Sequence, residues 1–380
     1  MTKILVFANS YPYKKSSHFV FLKNTVDQFV AFGYDSLVIE TQNLLKIIFG
    51  REYRRPYRRL IHVNGTKTYQ VIAPLIFQFP NFKLLKRLNL FLLTRTIDGI
   101  LNNMKFDFQI MFAHHLVNAG YLSYYFSKRY DIPYVLSLGE SSFERFNDNF
   151  SNVQLNEIFT YSDGVIAASS HMIDLLKSKV YLSSSKKILI APNAINPSIF
   201  RVMKKSEITT SLKVKSEEFI VIYVGSFTER KGINRLSEAL EKINNPLIKA
   251  VFVGDGPIKP RYKNIIFEGK LIQTEIASYL NMADVFVLPS LNEGSCNAIV
   301  EAMACGLPII SSDRPFNQDI LKPEYSILID PDDTHQIAMS IEYLFENSAL
   351  CTSMGKQSQE ASKNYLLSNR VTNILNFMFD

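Results

Sequence analysis

Short apolar runs alternate along the chain with longer segments in which apolar residues recur every three or four positions. Runs of the first kind, such as KILVFANS (3–10), DSLVIE (35–40) and FDFQIMFAHH (106–115), are typical of buried strands. HFVFLKNTVDQFVAFGY (18–34) belongs to the second kind and predicts a helix that ends at Gly33. Strands that alternate with helices indicate a parallel α/β sheet.

The alternation begins again at FIVIYVGS (219–226), after a polar and charged connector at 201–217. Further strand-like runs are IKAVFVGDG (248–256), NIIFEG (264–269), ADVFVLPS (283–290), PIISS (308–312) and YSILID (325–330). A chain of 380 residues is too long for one ordinary core. We therefore predict two doubly wound α/β domains, residues 1–200 and 201–360.

The composition is that of a globular protein, with 47% hydrophobic and 20% charged residues. The longest apolar candidate, LNLFLLT, is far too short to cross a bilayer. The opening MTKILVFANSYP predicts a strand and a turn rather than a signal peptide. Three cysteines without a CxxC pair argue against a disulfide framework or a structural zinc site. We expect a cytoplasmic protein.

The net charge of +7 is concentrated in the first half of the chain. REYRRPYRR (51–59) contains Arg51, Arg54, Arg55, Arg58 and Arg59 against one glutamate, and the basic, apolar FKLLKRLNLFLLTR (82–95) follows. One interpretation is a solvated basic loop beside a core helix. The interpretation we prefer is peripheral contact with an anionic membrane surface. No nucleic-acid partner is expected, because no recognition helix or RNA-binding motif accompanies the patch.

The segment LNEGSCNAIVEAMACGLPII (291–310) places two carboxylates, Glu293 and Glu301, eight residues apart. A strand precedes it, Gly294 and Ser295 suggest a turn and an N-cap, and Gly306 is a helix stop. Glu293 is thus predicted in the loop after a strand, and Glu301 about two turns into the following helix.

That location is where open parallel sheets bind ligands, and the helix start attracts anions. Carboxylates beside a phosphate would repel it unless they face hydroxyl groups, such as those of a sugar or a ribose. The plainer alternative is a loop acid followed by an ordinary solvated helical glutamate.

A second candidate for ligand chemistry is YVGSFTERKG (223–232). Gly225 allows the backbone to approach a ligand, and Arg230 with Lys231 at a helix entrance would attract an anion. The alternative is a solvated pair of cations in a loop. The nearby VGDGP (253–257) is a weak signal, and the chain has neither GxGxxG nor GxxxxGK[ST], so dinucleotide and P-loop sites are not indicated.

As an ordered set these motifs resemble the retaining glycosyltransferases of family four, the glycosyl transferases group 1, which have the GT-B fold. The stretches that carry the resemblance are the Glu293–Glu301 segment, GSFTERKG, VGDGP, FEGKL (267–271), ADVFVLPS and ILIDPDD. APNAINPSIF (191–200) resembles the interdomain signature of the family, with Ala194 in a glycine position and Asn196 in an aspartate position.

The resemblance implies an α/β fold of two Rossmann-like domains that face each other across a cleft. The first would bind the acceptor and the second the nucleotide-sugar donor, and a C-terminal helix at about 360–380 would pack back on the first. No metal would be required, because fixed cations and a helix dipole would stabilise the leaving diphosphate. Asp330, Asp332 and Asp333, which look like metal ligands, would form a loop that leads into a helix.

The resemblance also implies roles for individual positions. Lys231 and Arg230 would neutralise the pyrophosphate, Glu293 would contact the transferred sugar, and Glu301 would bind the ribose. The remaining donor contacts would come from Gly225, Ser226, Gly294, Ser295, Cys296, Asn297, Ala298, Gly269, Lys270 and Leu271. The amides near Ser295 would hold the distal phosphate, and Gly269 to Leu271 would line the base.

Two positions depart from the family pattern. Ser226 stands where an arginine commonly follows the glycine, and Leu138-Gly139 stands where a His-Gly pair is common, followed by Glu140. His114 and His115, at the end of a neighbouring strand, are the alternative candidates on the acceptor side, together with Gly139 and Glu140.

The sequence therefore predicts a glycosyltransferase that moves a sugar from a nucleotide-diphosphate sugar to a glycan or lipid-linked acceptor, in the biosynthesis of a cell-surface polysaccharide. One alternative is a non-catalytic subunit that binds a nucleotide sugar or glycan, which Leu138 and Ser226 motivate. A GT-B nucleotide-sugar epimerase is less favoured, because such enzymes lack the ordered set around Glu293 and Glu301.

Overall fold

The computed structural model describes residues 2–12, 20–43, 57–63, 65, 67–76, 85–104, 107–139, 150–204 and 215–380. The chain divides into two compact units. Unit 1 comprises residues 1–191 and 371–380, and unit 2 comprises residues 192–370. The chain therefore passes from unit 1 into unit 2 and returns at its C-terminal end.

Unit 1 contains an eight-stranded sheet with the order β10-β9-β8-β7-β1-β2-β5-β4. Its strands are β1 (Lys3–Ala8), β2 (Asp35–Glu40), β4 (Tyr57–Val63), β5 (Lys67–Ala73), β7 (Ile110–His114), β8 (Tyr134–Leu138), β9 (Gly164–Ala167) and β10 (Lys187–Ile190). A small parallel pair is formed by β3 (Gln42–Asn43) and β6 (Leu75–Ile76). Neighbouring strands of the large sheet run parallel except the hairpin of β4 and β5.

The helices of unit 1 cover a sheet whose central strands are buried on both faces. They are α1 (Val20–Ala31), α2 (Lys86–Met104), α3 (Tyr121–Tyr130), α4 (Asn152–Tyr161) and α5 (Ser170–Lys177). Every residue of β7, β8 and β9 is buried, which explains their continuous apolar sequence. Polar caps begin two of the helices: Ser151 forms a capping box with Gln154 at α4, and Ser169 caps α5.

Unit 2 contains a six-stranded, wholly parallel sheet with the order β13-β12-β11-β14-β15-β16. Its strands are β11 (Phe219–Val224), β12 (Ile248–Val253), β13 (Ile265–Gly269), β14 (Val285–Leu288), β15 (Ile309–Ser312) and β16 (Ser326–Ile329). Its helices are α6 (Ile233–Ile243), α7 (Gln273–Met282), α8 (Asn297–Ala304), α9 (Thr334–Glu346) and α10 (Ser348–Ser362). The last helix, α11 (Leu367–Phe379), begins in unit 2 and ends in unit 1, where Phe379 stacks on Tyr34.

Each large sheet has one point at which the strand order reverses. In unit 2 the chain places β12 on one side of β11 and later places β14 on the other. In unit 1 it places β2 on one side of β1 and later places β7 on the other. Loops that leave such neighbouring strands at their carboxyl ends diverge and leave a crevice for ligands. Each unit therefore has one favoured ligand position, between β11 and β14 or between β1 and β7.

The basic segment of unit 1 is only partly described. Arg51, Arg54 and Arg55 lie outside the described residues. Arg58 and Arg59 lie on the edge strand β4, where Arg58 is exposed and donates to the Gln70 side chain at 3.0 Å. This part of the chain is therefore an antiparallel hairpin, which corrects the interpretation of residues 57–59 as a loop. No helix among the described residues is long and apolar enough to cross a membrane.

Candidate active site in unit 2

The loop after β11 ends in a single 3-10 turn, Glu229–Lys231, which presents the two predicted cations. Gly232 closes this turn with a φ of 78°, a left-handed conformation that favours glycine. A Cβ atom at Gly232 would lie 2.2 Å from the carbonyl oxygen of Pro289, just after β14. Glycine therefore brings the cationic turn against the loop that carries Glu293.

The second glycine-rich motif has a packing role. Gly254 has a φ of 150°, and a Cβ atom there would lie 1.8 Å from the carbonyl oxygen of Gly225. At Gly256 the added atom would lie 2.3 Å from the carbonyl oxygen of Phe227. These glycines allow the loop after β12 to pack directly under the loop after β11.

Glu293 lies between the two cations. Its Oε1 is 2.6 Å from Nζ of Lys231, and its Oε2 is 3.3 Å from a guanidinium nitrogen of Arg230. The Glu293 and Lys231 side chains are 7% and 14% exposed, whereas Arg230 is 40% exposed. Two cations against one carboxylate leave one positive charge, and Arg230 presents it to solvent.

The pKa of Lys231 lies above its ordinary value. Burial, the largest influence, lowers this pKa, but Cys296 and Glu293 together raise it by more. Burial also raises the pKa of the Cys296 thiol, although Lys231 opposes that effect. Lys231 is therefore protonated at neutral pH.

Further bonds tie the loops after β11 and β14 together. The Leu291 N–H donates to the Arg230 carbonyl oxygen at 2.8 Å, and the Arg230 side chain donates to the Asn292 carbonyl oxygen at 2.5 Å. Arg235 of α6, which is 7% exposed, donates to the carbonyl oxygens of Pro289 at 2.9 Å and Glu229 at 3.0 Å. Its guanidinium also pairs with the Glu229 carboxylate.

Arg235 was missed by the sequence interpretation. The available signal was its position four residues before Ala239, which is on the buried stripe of α6 together with Leu236 and Leu240. A cation on such a stripe must find buried partners, because an isolated buried charge is costly. In this site its partners are groups of the two loops that carry Lys231 and Glu293.

The start of α8 corrects two details of the prediction. Cys296, not Ser295, is the N-cap residue, and its side chain makes no capping bond. The Ser295 hydroxyl instead accepts a hydrogen bond from the Asn193 N–H at 3.1 Å. Because α8 begins at Asn297, Glu301 lies in the second turn rather than at the end of it.

Glu301 is half-buried, and burial raises the pKa of its carboxyl to about 7. The nearby Cys305 thiol has a pKa raised to about 12, again chiefly by burial. At neutral pH, Glu301 is therefore divided between its protonated and ionised forms. A partner that donates hydrogen bonds to this carboxylate would favour the ionised form.

The predicted base-binding positions follow β13. Gly269 has a φ of 151°, and its carbonyl oxygen accepts a hydrogen bond from the Gly254 N–H at 2.8 Å. The exposed Lys270 pairs with Asp255 at 2.7 Å, and Leu271 packs on the core of unit 2. The end of β13 therefore lies beside the loop after β12, which in turn packs on the loop after β11.

The acceptor-side candidates lie in unit 1. His114 ends β7 with a buried side chain, His115 follows it half-buried, and the two rings are 4.2 Å apart. Gly139 follows β8, and a Cβ atom there would lie 3.6 Å from Cε1 of His115. These residues therefore meet at the carboxyl ends of neighbouring strands. Glu140 lies outside the described residues.

The acidic residues that looked like metal ligands have structural partners. Asp333 caps α9 by accepting hydrogen bonds from the His335 and Gln336 N–H groups at 2.9 and 3.0 Å. Arg314 pairs with Asp330 at 3.1 Å and with Asp332 at 3.6 Å. In the part of the chain that the structure describes, no group of three or more His, Cys, Asp or Glu residues could hold a metal ion.

Part of the chain, including the residues of this site, matches a known family. Residues 204–361 match the family model described as "Glycosyl transferases group 1". The chain is 31% identical over 238 residues to TuaC of Bacillus subtilis (strain 168), named as a teichuronic acid biosynthesis glycosyltransferase. This match covers 61% of the chain and 60% of TuaC. The chain is also 31% identical over 139 residues to CapJ of Staphylococcus aureus, and this second match covers 33% of the chain and 36% of CapJ.

Solved structures share the fold at low sequence identity. Sucrose-phosphate synthase from Thermosynechococcus elongatus superposes with a TM-score of 0.80 at 17% identity, over 99% of this chain and 98% of that one. HepE from Anabaena, in complex with UDP-glucose, gives a TM-score of 0.71 at 17% identity, over 99% and 100% of the two chains. The α/β prediction of GT-B type is confirmed.

The matched residues include the cations of the 3-10 turn, Glu293 and the whole of α8. Residues 204–361 therefore make up a glycosyl transferases group 1 domain, within a chain that has the GT-B fold.

Proposed function

We propose that this protein is a retaining, metal-independent glycosyltransferase that moves a sugar from a nucleotide-diphosphate sugar to a glycan or lipid-linked acceptor. The observation that carries the proposal is the cluster of buried Lys231 and Glu293 with partly exposed Arg230, beside the start of α8, where the strand order of unit 2 reverses. It combines cations for phosphates with a carboxylate for hydroxyl groups.

The charges of the cluster suit the departure of a diphosphate. As the bond to the sugar breaks, negative charge develops on the leaving group, and fixed cations in a partly buried site stabilise it. A phosphate about 4 Å from one such cation gains about 4 kcal/mol at an effective dielectric constant near 20. Lys231 supplies a protonated ammonium without titrating, because its pKa is raised. Arg230 would supply the second cation, because the arginine that is common in the family after the glycine is absent here and Ser226 stands in its position.

The carboxylates would orient hydroxyl groups. Glu293 is fixed by two cations on its two oxygens, so it would hold the transferred sugar in one orientation while the anomeric carbon reacts. Glu301 would accept hydrogen bonds from the ribose hydroxyls. Gly225 and Gly269 would let the backbone approach the diphosphate and the base, respectively. On the acceptor side, His114, His115 and Gly139 are the candidates in unit 1, and Glu140 stays a prediction.

Names of related proteins support the pathway part of the proposal. TuaC is named for teichuronic acid biosynthesis, and structures of HepE contain UDP, glucose or UDP-glucose. A structure of Staphylococcus aureus TarM contains UDP together with α-GlcNAc-glycerol. We therefore propose a cell-surface polysaccharide as the product and a UDP-sugar as the first donor to test.

The charge distribution supports action at the cytoplasmic face of a membrane. Unit 1 contains 23 basic and 14 acidic residues, a net charge of +9, whereas unit 2 contains 19 and 21, a net charge of −2. On α2, Leu88 and Phe91 are 39% and 55% exposed and lie between the exposed Arg87 and Arg95. Apolar residues flanked by cations suit the surface of an anionic bilayer.

A thermal-shift panel of UDP, GDP, ADP and their sugars tests the proposal. A nucleotide at 100 times its Kd stabilises the folded protein by about 2.7 kcal/mol. Glu301→Ala should abolish the shift, while Glu346→Ala, an exposed acid at the end of α9, should retain it. The proposal fails if no nucleotide diphosphate or nucleotide sugar shifts the wild-type protein.

A second candidate function is a subunit that binds a nucleotide sugar without turnover. It is favoured by Leu138, whose side chain is 2% exposed in the core of unit 1 and has no acid–base chemistry. Transfer of a radiolabelled sugar to acceptor glycans or to water separates the candidates. Nucleotide binding without transfer to any of them would favour the subunit.

A further inference from the structure

The segment 192–195, where the chain enters unit 2, is held in place by the C-terminal part of the same unit. The Ile195 N–H donates to the Tyr365 carbonyl oxygen at 2.8 Å, and the Leu367 N–H donates back to Ile195 at 3.1 Å. The buried Arg370 donates through Nε to the Pro192 carbonyl oxygen at 3.0 Å. Asn193 therefore lies on a braced segment rather than on a free linker.

Asn193 makes two hydrogen bonds to one residue of the candidate active site. Its backbone N–H donates to Oγ of Ser295 at 3.1 Å, and its Nδ2 donates to the carbonyl oxygen of Ser295 at 3.1 Å. The two residues are 102 positions apart in sequence. Together the bonds fix both the hydroxyl and the peptide plane of Ser295.

The second of these bonds sets the direction of a backbone donor. The carbonyl oxygen of Ser295 and the N–H of Cys296 belong to one planar trans peptide, so they point in opposite directions. Holding the oxygen with Asn193 therefore aims the Cys296 N–H. This group is followed by the first N–H groups of α8, which have no partner within the helix and can receive an anion.

We infer that Asn193 is a positioning residue for the distal phosphate of the donor. It acts through Ser295 and does not itself touch the phosphate. The inference rests on the proposed function, because it takes the start of α8 as the place of that phosphate. It adds to the site a residue that precedes the matched residues 204–361 and lies in the segment 191–200, which resembles the interdomain signature of the family.

The test compares a nucleoside diphosphate with the matching monophosphate. Dissociation constants of UDP and UMP are measured by calorimetry for wild type and Asn193→Ala, with GDP/GMP and ADP/AMP pairs if they bind better. We expect UDP binding to weaken about tenfold in the variant, because a correctly aimed donor to the distal phosphate is lost. UMP binding should change by less than about twofold, since UMP has no distal phosphate.

Asn196→Ala is the matched control. Asn196 lies three residues after Asn193, just beyond the segment 192–195, and its side-chain oxygen accepts bonds from the N–H and hydroxyl of Ser198. Its loss should leave both nucleotides unaffected. Asn193→Asp provides a second variant if the alanine variant does not fold, because it keeps the size and the backbone N–H but lacks the Nδ2 donor.

A double-mutant cycle with Ser295→Ala checks which of the two bonds carries the effect. Ser295→Ala removes the hydroxyl that accepts from the Asn193 N–H but keeps the carbonyl oxygen that accepts from Nδ2, so Asn193→Ala should weaken UDP binding by about the same factor in both backgrounds. If the effect of Asn193→Ala disappears in the Ser295→Ala background, Asn193 does not act through the peptide plane of Ser295, and the inference is overturned.

The outcomes separate this inference from the proposed function. If wild type binds UDP and Asn193→Ala binds both nucleotides as wild type does, the inference is wrong and the proposed function stands. If UDP and UMP weaken by the same factor, Asn193 only supports the fold, and the inference is again overturned. If wild type binds no nucleotide diphosphate, the proposed function fails and the inference fails with it.

Discussion

The two units have their strand order reversed at equivalent points, yet they build these points differently. In unit 2 the left-handed backbone positions near the reversal are glycines, Gly232 and Gly254, and charged side chains cross-link the loops. In unit 1 the loop after β7 places non-glycine residues at positive φ, His115 at 73° and Asn118 at 60°. The loops of the site in unit 2 are relaxed and carry charged side chains, whereas the loop after β7 in unit 1 is strained.

The strain in unit 1 is specific in kind. His115 has ψ of 156°, so it occupies a region of backbone conformation that is essentially restricted to glycine. Such a residue costs about 1–3 kcal/mol and persists only where the surroundings enforce it. Unit 2 therefore holds its charged side chains on loops that glycines relieve of strain, while unit 1 holds an imidazole in place at the expense of backbone strain.

Substitution of Lys231 should have the largest effect. Lys231→Ala removes the buried cation, and we expect donor turnover, measured as UDP release from the best-binding UDP-sugar, to fall by about 10²–10³. Lys231→Arg should retain part of the rate, because the charge is kept. His115→Ala in unit 1 should leave UDP affinity unchanged. A Lys231→Ala variant with more than a tenth of the wild-type turnover would contradict the role assigned to the cation.

Removal of Arg235 should have the next largest effect, on stability. Arg235→Met removes the donor to the Pro289 carbonyl oxygen and one of the two donors to the Glu229 carbonyl oxygen, which keeps the Gly232 N–H. We expect a loss of about 2–3 kcal/mol. Denaturant unfolding measures this loss. The exposed Arg261 provides the control, since Arg261→Met should change stability by less than about 0.5 kcal/mol. Equal losses in the two variants would show that the loops are not held by Arg235.

Local motifs explain why much of unit 2 could be predicted from sequence. Two short segments directly follow apolar strands, one with Lys231 and Gly232 and the other with Glu293 and Gly294. Their position at the carboxyl ends of the strands therefore follows from the pattern. The partners of Arg235 and Asn193 could not be predicted in this way. Their contacts join residues that are 54 and 102 positions apart in the chain, and the sequence alone does not specify which residues so far apart come into contact.

The hairpin of unit 1 was missed for a different reason. On β4 the side chains that face outward are Arg58, Leu60 and His62, while Arg59 lies on the inner side and donates to the Pro12 carbonyl oxygen. Exposure alternates along this strand, but polarity does not, because Leu60 is 50% exposed and Arg59 is half-buried. A period of two in hydrophobicity was therefore absent, and the arginine-rich segment suggested a loop.

Relief of the strain at His115 should have a smaller effect of opposite sign. His115→Gly removes about 1–3 kcal/mol of strain and costs about 0.5–1 kcal/mol of chain entropy, so we expect a net gain of about 1 kcal/mol in the free energy of unfolding. Transfer to an acceptor should fall, because the imidazole is lost.

Asp131→Gly is the matched control for His115→Gly. Asp131 ends α3 with a φ of 54°, in the ordinary left-handed region and outside the candidate site. It should give a smaller gain in stability and no change in transfer. If His115→Gly destabilises the protein, or leaves transfer at the wild-type rate, unit 1 does not hold a strained functional residue.

The smallest expected effect is a pH dependence that comes from Glu301 in unit 2. Its pKa is raised from 4.5 to about 7 in the folded protein, so the folded state binds the proton more tightly than the unfolded state does. Below about pH 4.5 the carboxyl is protonated in both states, and its contribution to the free energy of unfolding is largest. As the pH rises from about 4.5 through about 7, the unfolded state ionises first, so that contribution falls. Between pH 6 and pH 8 we expect a loss of about 1 kcal/mol from this group.

Chemical denaturation at both pH values should show a smaller difference in the free energy of unfolding for Glu301→Gln than for wild type and Glu346→Gln. Saturating UDP should also reduce the wild-type difference, because ribose hydroxyls that donate to the ionised carboxylate lower its pKa in the complex. If the wild type and Glu301→Gln lose the same stability over this range, the Glu301 carboxyl is already ionised at pH 6, and the start of α8 is more open to water than the rest of the relaxed, charged site in unit 2.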